Sequence, residues 1–166
     1  MTYRLSTIAL PLFCAAAVIY AAPAAASPAQ DDTEIRTLMD TYHAAVVGHD
    51  GAKLASLFVP EGSAWFSVLS DLQYAKVRAN NTSALKVRPS TVPTFADFVT
   101  RSKDSLDPQH EKVRIDSDGA IASVYFQFRF VINGKVQNRG SESWQLVKGA
   151  EGWRIASIVY SSTPAA

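Results

Sequence analysis

Cysteine is nearly absent from this chain: Cys14 is the only one among 166 residues. It lies inside an apolar stretch, Leu5 to about Ala22, that carries no charge. Arg4 precedes that stretch, and Ala-Pro-Ala-Ala-Ala-Ser-Pro follows it. This is the pattern of a cleavable signal peptide, with Ala24 and Ala26 as the small residues a signal peptidase requires. The expected cut follows Ala26. Pro11 interrupts the run and no basic cluster follows it, which disfavours a membrane anchor. Pro11, Leu12 and Phe13 before Cys14 do not fit a lipoprotein signal. Removal of the leader takes away the only thiol, so the mature chain has no disulfide, thiol nucleophile or thiolate metal ligand.

Charge of one sign is also lacking. The formal net charge is +1, and loss of Arg4 brings it to zero. No basic run stands anywhere, which excludes the charged footprint of a nucleic-acid binder. Repeats and low-complexity tracts are missing from the mature part. About 140 residues remain, enough for one domain with one core. The expected layout is a leader over 1–26, a linker over 27–33, a domain over 34–162 and a tail over 163–166. The expected location is periplasmic or secreted, with no membrane association after cleavage.

What is present is clear apolar patterning. Asp31, Asp32 and Thr33 can cap a helix whose stripe is Ile35, Leu38, Met39, Tyr42, Ala45 and Val46. Gly48 ends it, and Asp50 caps a second short helix with Leu54, Leu57 and Phe58 facing inward. Pro60-Glu61-Gly62 is a turn, and 64–69 reads as a strand. From Ser70 to Pro93 no period is sustained, which predicts a long connection with one short strand near 84–88. Such a connection serves as a lid or as a plain ordered loop. Asn80-Asn81-Thr82 within it fits a short glycosylation sequon. Thr94 with Asp97 predicts the start of another helix, with Phe95, Phe98 and Val99 on its apolar face. The last third is a meander. Asp118-Gly119 and Asn133-Gly134 are hairpin signals, and Ala122, Val124, Phe126, Phe128, Phe130 and Ile132 alternate with polar residues.

In this order the chain resembles the nuclear transport factor two-like superfamily. The resemblance rests on Tyr42-His43-Ala44-Ala45 through Gly48-His49-Asp50, on Thr94 to Phe98, and on Gly140 to Val147 with Gly152-Trp153-Arg154-Ile155. It is similar to exported lumazine-binding-like and polyketide-cyclase-like members. The resemblance implies an α+β fold, a cone of strongly bent antiparallel sheet wrapped around N-terminal helices. It also implies a pocket at the mouth of the cone and a homodimer through the outer sheet face.

The expected pocket residues are Tyr42, Trp65, Phe66, Phe98, Phe126, Phe128, Glu142, Trp144, Ser157 and Val159. Parity alone does not decide whether Trp65 or Phe66 faces inward. Glu142 shares a strand face with Trp144 and Leu146. An ionised, unpaired carboxylate there costs several kcal/mol, so it must sit near the mouth, be protonated, or pair with Arg129 or Arg154. Resemblance to ketosteroid isomerase places Tyr42 and Glu142 at that family's oxyanion donors. Its proton-shuttling Asp falls near Phe66, which accepts no proton. The polar positions of other relatives, alternating after Trp153, fall on Ser157 and Val159. His43, His49 and His110 read as structural or solvated, since no third ligand stands at a metal-like spacing. No cofactor or metal is expected. Three functions stay open: a binding domain for a small apolar or aromatic molecule, an isomerase-, cyclase- or hydrolase-type enzyme using Glu142 and Tyr42, and a dimeric interaction module.

Overall fold

The computed structural model describes residues 28–164; the expected leader, with Cys14, lies outside the described residues. Helix α1 (Pro28–Val47) begins earlier than expected, so the linker over 27–33 is helical from Pro28 onward. Its stripe is buried as the spacing predicts, from Ile35 to Val46. Asp31 does not cap. It lies in the first turn with its side chain buried. Its carboxylate takes Lys148 Nζ at 2.9 Å, and the Ser117 hydroxyl donates to it at 3.4 Å. Lys148 also reaches Glu34 at 2.7 Å and stands over the Trp153 ring.

Helix α2 (Gly51–Ser56) is capped by Asp50, which accepts from the Lys53 amide at 2.7 Å. Gly51 is required there. A Cβ would stand 2.3 Å from the Ala96 carbonyl oxygen on the helix packed across it.

Strand β1 (Ala64–Leu69) matches its expected span. The connection after it is more ordered than the sequence period indicates. It forms helix α3 (Asp71–Asn80) and strand β2 (Val87–Ser90). No residue of α3 is buried, so it has no apolar stripe to display; Ser70 caps it through the Gln73 amide. Helix α4 (Val92–Arg101) starts before Thr94. Thr91 is the cap, accepting from the Thr94 amide at 3.2 Å, and Pro93 sits in the first turn, where its missing N–H costs nothing.

The meander follows as β3 (Leu106–Ser117), β4 (Ile121–Ile132), β5 (Lys135–Gly149) and β6 (Gly152–Pro164). Strand β6 takes in the first residues of the expected tail. Asn133 and Gly134 both have positive φ, as a tight hairpin demands. The six strands lie in the order β2-β1-β6-β5-β4-β3. The fold is α+β, with one strongly bent, open sheet. The sheet is mixed rather than wholly antiparallel, because β1 runs parallel to β6. The even residues of β4 face the core, where Phe126, Trp144, Leu146, Ile155 and Ile158 meet α1 and α2.

Candidate functional site

A cavity of about 260 Å³ opens between the sheet's concave side, α1 and α4. Its apolar wall is Trp65, Phe95, Phe98, Pro108, Phe128 and Phe130. Its polar groups are the side chains of Tyr42, Glu142, Tyr160, Asn138 and Ser90. The rings form two groups: Trp65 lies 5.1 Å from Phe95, Phe95 lies 6.0 Å from Phe98, and both phenylalanines approach Phe130, while Phe128 meets Tyr160 edge-on at 5.6 Å. Offset and edge-on contacts of this kind stabilise aromatic clusters beyond their buried area. Helix α4 presents Phe95 and Phe98 because its other face is committed to the core through Ala96 and Val99. Phe98 remains 42% exposed, which places the opening on the α4 side.

Of the expected pocket residues, Tyr42, Trp65, Phe98, Phe128 and Glu142 line the cavity. Phe126 and Trp144 lie beneath it as fully buried floor residues. Trp144 packs 4.9 Å from Tyr42 and 5.3 Å from Phe126. Phe66 does not belong to the site. Strand β1 turns Trp65, Ser67 and Leu69 inward and leaves Phe66 on the outer face. Ser157 and Val159 are also displaced. Pairing of β5 with β6 shifts between Gln145↔Ser157 and Leu146↔Ile155, so Ala156 is an extra residue in β6. That bulge resets the alternation. Ile158, Tyr160 and Ser162 face inward instead, and Tyr160 joins the cavity.

Glu142 is 92% buried, and among the described residues no cation pairs with it. Arg129 pairs with Glu111, and Arg154 pairs with Glu151 at 3.0 Å. Among the described residues, the hydrogen bond to the Glu142 carboxyl comes from Trp144 Nε1 at 2.6 Å. Burial pushes its pKa up to about 7, and the Trp144 bond lowers it only in part. The Tyr42 hydroxyl is raised well above its ordinary value by burial first, then by the Glu142 charge. Tyr160 is raised by burial, against a lowering hydrogen bond from Ser67. Ser162 donates to Asn138 Oδ1 at 3.2 Å and steadies that amide at the cavity edge.

His110 is nearer to the site than its place in the sequence indicates. Its ring lies 4.6 Å from Phe126 and 6.1 Å from Tyr42. Burial pushes its pKa down to about 4, with His43 adding repulsion, so it sits in the aromatic floor as a neutral ring. His43 bonds Asp107 at 3.0 Å, and His49 Nδ1 bonds the Val99 carbonyl at 3.0 Å. Among the described residues no group of three His, Cys, Asp or Glu side chains stands close enough to hold a metal ion.

The architecture is that of NTF2-like proteins with a cystatin-like fold. An NTF2-like protein of unknown function from Shewanella baltica superposes with a TM-score of 0.59 at 16% identity, covering 84% of this chain and 99% of the other. A dehydratase candidate of the NTF2-like family from Streptomyces avermitilis gives 0.61 at 14%, covering 84% and 100%. An NTF2-like protein with a cystatin-like fold from Novosphingobium aromaticivorans gives 0.59 at 14%, covering 83% and 85%. At these identities the likeness is one of fold, which hosts both ligand-binding and enzyme sites. No protein-family model and no curated protein sequence matches the chain.

Proposed function

We propose that this is an exported protein whose cone-interior cavity binds a small apolar or aromatic molecule. The observation that carries this reading is an aromatic-walled cavity of about 260 Å³ in which one buried carboxyl and two tyrosine hydroxyls converge. A largely apolar wall with a few fixed polar groups is the usual composition of a ligand site. The size suits a single substituted ring or a compact bicycle.

Titration with 1-naphthalenemethanol, read by tryptophan emission, tests the reading. Saturable quenching is expected, and it should be lost in Ser90→Trp, which fills the cavity from the β2 side. Quenching that is non-saturable, or equal in the variant, counts against it. The export reading rests on the sequence of residues 1–26 and is checked by N-terminal mass spectrometry of protein from the periplasm or medium. An intact Met1 there would refute it.

A catalytic reading draws on a different observation, the Glu142 pKa of about 7 beside the Tyr42 hydroxyl. A carboxyl poised near neutral pH suits general acid–base work. Strand β1, however, offers Trp65 and Ser67 toward the interior, neither of which is a base. Loss of turnover in Glu142→Gln, once a substrate is found, would favour catalysis. Self-association through the outer sheet face is proposed as well. Phe66, Val159 and Tyr125 lie exposed along one row of paired residues there. Sedimentation giving a monomer at tens of micromolar would refute it.

A further inference from the structure

We infer that the cavity selects an organic cation, an amine or quaternary ammonium carried on an apolar or aromatic body. This inference rests on the cavity being a ligand site, and it adds the sign of the ligand's charge. Two features of the site converge on it.

The first is the isolation of Glu142. Among the described residues it is the only charged side chain lining the cavity. A buried carboxylate without a partner is an uncompensated charge, and folded proteins pair such groups. Among the described residues no cation reaches it. Arg88 of β2 lies in the same row of the sheet, but two strands intervene, with Tyr160 and Ser67 between, and it acts on Tyr160, not on Glu142. Arg129 and Arg154 are held by other carboxylates on the exposed side. His110, from β3, is kept neutral by its burial. Tyr42 from α1 and Tyr160 from β6 face Glu142 as neutral hydroxyls and bring no positive charge. Helix α4 contributes only rings to the wall. Trp144 occupies one carboxyl oxygen, Oε1.

The second feature is the wall. Trp65, Phe95, Phe98, Phe128 and Phe130 surround the same space. The faces of such rings attract a cation, most strongly when water is excluded. An aromatic cage alone accepts neutral aromatics equally well. With an unpaired carboxylate at its inner end, it favours a ligand that brings the missing charge. Binding of that ligand requires ionised Glu142, so affinity rises from acid to neutral pH.

The test compares two probes of the same shape, benzyltrimethylammonium and its carbon isostere neopentylbenzene, by tryptophan quenching on the purified protein at pH 8. The cation should bind at least about tenfold more tightly. Glu142→Gln should bring the cation down to the level of the isostere and leave the isostere unchanged. Lowering the pH to 5.5 should weaken the cation by roughly fivefold or more and not the isostere. Equal binding of the two probes, or preference for the neutral one, overturns the charge inference and leaves the ligand site standing. Saturable binding of neither probe overturns both. Equal cation affinity in wild type and Glu142→Gln also overturns the inference.

Discussion

Asp31 and Glu142 are the two acidic side chains buried among the described residues, 1% and 8% exposed. Their surroundings differ. Asp31 is met by Lys148 and Ser117, and Glu34 shares the lysine. It fastens the first turn of α1 to the far end of β5. Glu142 lies on the same strand, beside Tyr42 about three helical turns along α1 from Asp31. It faces open space with one indole N–H as its partner. At the Asp31 end the buried carboxylate has a cation of its own chain, Lys148, in contact with it. The Glu142 end leaves its charge unanswered and keeps a cavity beside it. A fold that needed only stability would fill the second place with an apolar side chain, since an unpaired buried carboxyl destabilises the state that holds it ionised. The difference marks the first carboxylate as a fastening and the second as a site.

Changes at the two ends should therefore differ in sign. The largest effect is expected at the open end and depends on pH. Glu142 has a folded pKa raised from 4.5 to about 7, so its contribution favours the fold in acid and is lost as pH rises through 7. Urea unfolding of Glu142→Gln, relative to wild type, should shift in the variant's favour by about 3 kcal/mol between pH 4.5 and 7. His110 has the opposite sign. Its folded pKa of about 4 lies below 6.5, so its contribution is present above pH 6.5 and lost as pH falls through 4. His110→Phe should gain about 3 kcal/mol over wild type on that descent. In wild type the two slopes oppose each other over the shared interval. A variant-minus-wild-type difference that does not move with pH would show that burial does not control the group in question.

At the closed end, Lys148→Met strands Asp31 and should lower the melting temperature by about 5–10 °C. A drop under about 2 °C would mean that the fastening contributes little and would erase the contrast with Glu142. Thr91→Ala removes the cap of the helix that carries Phe95 and Phe98, and should cost about 1 kcal/mol in chemical unfolding. The smallest effect is expected for Arg36→Ala. Its pairing with Asp32 at 2.7 Å is exposed, so stability should change by no more than about 0.5 kcal/mol. If Arg36→Ala matched Lys148→Met, burial would not be what distinguishes the Asp31 cluster from a surface ion pair.

Much of the fold was legible because burial leaves a period. The α1 stripe, the alternation in β4 and the two glycine hairpins each announce their element. Helix α3 was illegible by that route, since it buries nothing; the signals it does carry are the Ser70 cap, Asp71 in the first turn and good helix formers after it. At the site, Glu142 was recognisable as a carboxylate on an apolar strand face. The choice between Trp65 and Phe66 depended on strand parity, which a single strand does not fix. Tyr160 was hidden because alternation counted from Trp153 ends on Ser157 and Val159, and no residue type marks Ala156 as supernumerary. His110 was readable as structural, but its place in the floor follows from the pairing of β3 with β4.

Ala156 also has a bearing on how this strand can change in length. Residues on either side of it already point the same way they would in a straight strand: Ile155 inward, Ser157 outward, Ile158 inward. Deleting Ala156 would therefore leave Tyr160 facing the cavity while removing the local bend that a bulge imposes. Curvature and lining are thus set by separate letters of the sequence. A one-residue gap at this point changes the shape of the container without rewriting its contents.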